Sequence, residues 1–84
     1  MNATSSPVKS LGAFLRRLRE ERELTQKRVT KELGISQSAL SAWESGQTLP
    51  PRPQIARIAA VLKVGADALE TYFERAESEE SYAP

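Results

Sequence analysis

The sequence predicts an all-α fold of five short helices, and three observations carry that reading. Apolar residues recur at intervals of three and four in successive segments, the spacing that lines one face of a helix. Between those segments stand Gly, Ser, Thr and Pro, at places where a helix starts or stops. Nowhere does the chain show the apolar/polar alternation of a strand, a hairpin turn or an internal repeat.

Residues 1–8 are rich in Ser, Thr and Asn and are expected to form a flexible arm. Ser10 can cap a first helix in which Leu11, Phe14, Leu15 and Leu18 face inward. Arg16, Arg17, Arg19 and Glu20 form its wet side, and the helix should fade near Arg22 or Glu23. Thr25 is the natural cap of a second helix, Gln26 to Leu33, with Val29 and Leu33 inward. Gly34 closes it, because a left-handed residue ends a helix at no steric cost when it is glycine. Ile35 then packs inward, and Ser36 caps a third helix that buries Leu40 and Trp43 with the small Ala39 beside them. Gly46 ends that helix in the same way. Helix, three-residue turn, helix is a helix-turn-helix.

Gln47 to Arg52 reads as a loop anchored by Leu49 and stiffened by Pro50-Pro51. Pro53 suits the first position of a fourth helix, whose core stripe is Ile55, Ile58, Ala59 and Leu62. Gly65 breaks it, and Asp67 favours the positive end of a fifth helix. Leu69, Tyr72 and Phe73 give that helix an apolar edge, the expected dimer interface. From Arg75 the composition turns acidic, so the chain divides into an arm (1–8), a domain (9–74) and a flexible acidic tail (75–84). Removing residues 76–84 is then expected to leave folding nearly intact.

Bulk composition narrows the function. Eighty-four residues make one small domain, which buries only about 60–65% of its unfolded surface. A hydrophobic content of 39% suits a compact helical bundle rather than an enzyme with a deep pocket. With neither Cys nor His, disulfides, thiol chemistry and Cys/His zinc sites are excluded. No carboxylates cluster in a pocket context, so no catalytic residue, metal or cofactor is expected. No apolar run approaches the ~18 residues of a membrane span. The start, MNATSSPVKS, lacks a signal-peptide core, so a cytoplasmic protein is expected.

The net charge of +1 conceals an asymmetry. From Lys9 to Lys63 there are 11 Lys/Arg against 5 Glu, a balance of +6; from Val64 onward one Arg faces six acids, a balance of −5. A basic body suited to a polyanion is joined to an acidic tail that is not. The third helix is odd in a different way. Its outer face offers Gln37, Ser38, Ser41 and Ala42, where a plain solvated helix would carry Lys and Glu.

Leu11 to Leu69 resembles the phage repressor/Cro-type (xenobiotic-response-element-like) helix-turn-helix family. The resemblance lies in Leu24-Thr25-Gln26, Val29, Leu33-Gly34-Ile35-Ser36-Gln37, Leu40, Trp43-Glu44, Gly46 and Pro51-Arg52. It departs at Thr30, where the family usually has a small Ala, and the hydroxyl is expected to bond back to the Gln26 carbonyl. The fold implied is a compact five-helix repressor-like DNA-binding domain.

The resemblance also answers why the third helix is so short-sided. In a helix-turn-helix the second helix of the motif lies in the major groove with its N-terminal residues against base edges. Short side chains let it sit deep. Gln37 can donate and accept together, the pattern that pairs with adenine N6 and N7. Ser38 and Ser41 can bond bases or phosphates, and Ala42 can meet a thymine methyl. Ser36, Thr25 and Gln26 stand at helix N-termini, where backbone N–H groups favour an anion. By resemblance Gln26 reaches the backbone and braces Gln37, while Lys27, Gln47 and Thr48 are candidate phosphate ligands. Arg52 matches an arginine that approaches the minor groove. Arg19 and Glu44 match a structural ion pair tying helix one to helix three, and Trp43 is expected in the core.

The leading expectation is a sequence-specific DNA-binding transcription regulator, most simply a repressor, acting as a homodimer on a palindromic operator and nucleoid-associated when bound. Activation, as by controller proteins of restriction systems, suits the same residues. Two alternatives have a protein partner instead: an antitoxin using this fold, motivated by the acidic tail, and a coactivator-like adaptor that reads no bases.

Overall fold

Ser6, rather than Ser10, starts the first helix. Its hydroxyl accepts the Lys9 amide at 3.2 Å and Pro7 takes the first helical position, where proline's missing N–H costs nothing. In the computed structural model, which describes residues 6–82 with side chains through Glu79, helix α1 therefore spans Pro7–Glu21. It is followed by α2 (Gln26–Leu33), α3 (Gln37–Ser45), a 3-10 turn (Arg52–Gln54), α4 (Ile55–Leu62) and α5 (Ala66–Tyr82). No strand occurs among the described residues, and the all-α, five-helix expectation is met.

All five helices contribute to one core. Leu11, Leu15 and Leu18 of α1 meet Val29 and Leu33 of α2, Leu40 and Trp43 of α3, the Ile55/Ile58/Ala59/Leu62 stripe of α4, and Leu69, Phe73 and Ala76 of α5. Helix α1 lies at the centre of this arrangement, packed against α3 on one side and α5 on the other. A Cβ on Gly12 would overlap the backbone carbonyl oxygens of Trp43 and Glu44. Glycine alone lets α1 approach α3 that closely, and the crossing fixes how far α3 stands out from the body.

Three expectations need correction. The arm does not extend to residue 8: Val8 is buried within α1, while residues 1–5 lie outside the described residues. The acidic segment from Arg75 is not a detached tail either, since α5 continues to Tyr82, and only 83–84 lie outside the described residues. Ala76 is wholly buried and the Val8 amide donates to the Glu79 carboxylate at 2.8 Å. Deleting 76–84 would thus open the core. In the loop, Leu49 is half-buried and packed against the core as expected, and the fully buried Pro50 joins it as an anchor. Finally, Lys63 rather than Gly65 closes α4, in a left-handed conformation at φ +56°.

The expected dimer edge is corrected by the same packing. Leu69 and Phe73 are 0% and 2% exposed and belong to the protomer's own core. Tyr72 alone of the three reaches the surface, stacked on Phe14 with ring centroids 4.2 Å apart.

Candidate nucleic-acid interface

The two helices of the motif are delimited by their local sequence. Thr25 Oγ1 accepts the Arg28 amide at 3.0 Å to open α2, and Gly34 closes it at φ +70°. Ser36 Oγ accepts the Ala39 amide at 3.1 Å to open α3, and Gly46 closes it at φ +79°. The turn between them is tied down by the Thr30 carbonyl, which accepts from the amides of both Gly34 and Ile35. The Thr30 hydroxyl bonds the Lys27 carbonyl at 3.0 Å, not that of Gln26. Threonine has two helix-compatible rotamers, and this one reaches the i−3 oxygen.

With Leu40 and Trp43 sunk in the core, the opposite side of α3 faces out. Gln37, Ser38 and Ser41 are exposed there, with Ala42 half-buried at the edge. Trp43 packs at 6% exposure, so it is a core residue and no platform for a base.

Beneath that face runs a chain of hydrogen bonds rooted in an ion pair. Arg19 donates to both Glu44 oxygens, from Nε at 2.7 Å and Nη2 at 3.1 Å, and from Nη1 to the Leu24 carbonyl at 2.9 Å. One guanidinium thereby joins α1, the start of α2 and the end of α3. The Glu44 hydrogen bonds raise the Arg19 pKa above its ordinary value, against the opposing effect of burial. Glu44 Oε1 also accepts from Gln26 Nε2 at 3.0 Å. Gln26 Oε1, in turn, accepts from Gln37 Nε2 at 3.1 Å and Ser41 Oγ at 3.2 Å.

The rim is exposed and more basic. Lys27, Gln47 and Thr48 present their side chains to solvent, while the backbone amides of Gln47 and Thr48 are taken up by the Ala42 carbonyl. Arg28 pairs with Glu32 one turn on, at 2.6 Å. Arg52 is paired with Glu77 and Glu70 of α5, and its guanidinium lies 5.1 Å from the Phe73 ring centroid.

The structure thus brings Arg19, Gln26, Gln37, Ser41 and Glu44 into one network and leaves Ser38, Lys27, Gln47 and Thr48 around it as exposed neighbours. Three participants escaped the sequence. Glu77 and Glu70 engage Arg52, and no local pattern announces contacts across 25 and 18 positions. Gly12 seats α3, and its signal was visible: a lone glycine inside a helical apolar pattern.

Comparison with known proteins agrees with this geometry. A family model described as a helix-turn-helix domain matches residues 10–71. The ImmF control region 10 kDa protein of Bacillus phage phi105 is 36% identical over 62 residues, which cover 74% of this chain and 69% of that protein. The restriction-modification controller protein C.AhdI from Aeromonas hydrophila superposes with a TM-score of 0.71 at 25% identity, over 77% of this chain and 98% of its own. The clp gene regulator ClgR from C. glutamicum shares the fold, with a TM-score of 0.70 at 22% identity over 92% and 94% of the two chains.

Proposed function

Because the chain belongs to the helix-turn-helix domain family of DNA-binding proteins, we infer that α3 reads base edges in the major groove of an operator. The protein is then a transcription regulator, most simply a repressor. The observation that carries this reading is the outer face of α3, where Gln37 and Ser41 stand exposed yet are held by Gln26 from behind. A solvated face has no need of such bracing. Lys27, Gln47 and Thr48 flank it as phosphate ligands, with the N-termini at Thr25 and Ser36 adding backbone donors and Ala42 offering a methyl.

Two copies are required for a full site. The molecule measures 35 × 25 × 22 Å and carries one reading helix, while successive half-sites lie about 34 Å apart along the duplex. The half-exposed Tyr72–Phe14 stack is the apolar surface offered to a second copy, with Leu69 and Phe73 supporting it from beneath. The acidic segment that suggested a protein partner is engaged with its own chain through Glu77 and Glu79. That leaves DNA as the favoured partner.

Selection of bound sequences from a random duplex pool tests the proposal. A two-fold-symmetric site should emerge, and its affinity should fall log-linearly with salt as phosphate contacts release counterions. A pool without enrichment would leave only the protein-partner readings standing.

A further inference from the structure

Gln26 links two things that no single contact explains: a nearly buried ion pair and an exposed reading residue. The Glu44 carboxylate can only accept hydrogen bonds, so the Gln26 amide must turn its NH2 toward it, as the 3.0 Å contact records. Gln26 Oε1 is then forced outward, and an oxygen can only accept. Gln37 must present its own NH2 to that oxygen, because the flipped amide would set two oxygens 3.1 Å apart. Ser41 likewise spends its single hydroxyl hydrogen on Gln26 Oε1.

The outcome is a fixed pattern on the groove face. Gln37 is left with its Oε1 acceptor and one remaining N–H, and Ser41 with lone pairs alone. Adenine supplies the matching donor at N6 and acceptor at N7, whereas guanine offers two acceptors, O6 and N7. Arg19 holds the root of the chain in place through both Glu44 oxygens. We propose that Glu44 is a positioning residue for sequence recognition: its negative charge sets the amide polarity of Gln26, and through it the adenine preference of Gln37 and the acceptor character of Ser41.

This proposal rests on α3 being the element that reads DNA, and the experiment separates the two. Wild-type protein is first taken through selection, and the base pair read by Gln37 is located as the one whose preference Gln37→Ala abolishes. No enriched site, or none that depends on Gln37, would remove both the reading and the proposal. A guanine preference at that pair would overturn the proposal alone. With adenine found there, Glu44→Gln is measured on the operator, on its A-to-G variant and on random duplex. A neutral amide can turn either edge to Gln26, so the A-over-G ratio should fall by about tenfold, the scale of one bidentate contact. Random-duplex binding should stay close to wild type. If all three affinities fall together and the ratio is kept, Glu44 only supports the fold and the proposal is wrong. Should Glu44→Gln fail to fold, the pair replacement Arg19→Met with Glu44→Met carries the same test, since apolar residues of similar volume often replace a buried ion pair without loss of stability. An unchanged ratio there also overturns it.

Discussion

Two arginines of this small domain are engaged by carboxylates in opposite surroundings. Arg19 donates to both oxygens of one carboxylate, with side-chain exposures of 13% for itself and 6% for Glu44. Arg52 is shared between Glu77 and Glu70, with 54% exposure against 45% and 40%. Charge type and partner type are the same; burial differs. A desolvated pair is barely screened and holds one geometry, whereas an exposed pair competes with water and salt and contributes little to stability. The first therefore acts as a rigid root for α3. The second is an exposed contact that competing ions can exchange.

The largest effect should come from breaking the first pair. Arg19→Ala leaves the Glu44 carboxylate almost buried without its cation, and unfolding by denaturant should show a loss of about 3–5 kcal/mol. A loss below about 1 kcal/mol, the ceiling for exposed pairs, would erase the contrast. Gly12→Ala attacks the same region through the backbone, pushing α3 off α1. Thermal unfolding should report a cost of about 1–3 kcal/mol, accompanied by weaker operator binding. Unaltered binding in a destabilised protein would mean the seat of α3 is not what positions it.

At the exposed end the effects shrink. Glu79→Gln keeps an oxygen for the Val8 amide but removes a negative charge from the start of α1, a change of about 0.3–1 kcal/mol that salt should diminish. A salt-independent loss would show packing, not charge, at work there. Glu77→Gln should alter stability least, within about 0.5 kcal/mol, yet titration of operator DNA should show a tighter complex because Arg52 is released from its carboxylate. Equal or weaker affinity would take Arg52 out of the interface.

The same contrast explains what could be read from the sequence. The bounds of α2 and α3 were legible to the residue because Thr25, Gly34, Ser36 and Gly46 act on amides and carbonyls only a few positions away. Gln26, Gln37 and the Arg19–Glu44 pair were legible as a motif. The link from Glu44 to Gln26 was not, since it depends on side chains of two different helices meeting at 3.0 Å across 18 positions. Acidic composition after Arg75 points to disorder, yet α5 runs on to Tyr82. Its apolar spacing nonetheless continued past the boundary, from Leu69 through Phe73 to the wholly buried Ala76. The start of α1 is not legible locally, since Ser6 and Ser10 are equally good caps in isolation, and Val8 and the Glu79 contact decide between them from a distance of 71 positions.

That contact bears on how the molecule comes into being on the ribosome. Helix α3 is seated on α1 at Gly12, and α1 is clasped at its first turn by Glu79 near the far end of α5. A nascent chain finishes α3 well before α5, and at about 5–20 residues per second the interval between them is on the order of seconds. Throughout that interval α1 lacks one of its two flanking helices. The outer face of α3 is therefore laid down before the helix that clasps its support, and α1 is held on both flanks only once α5 has emerged.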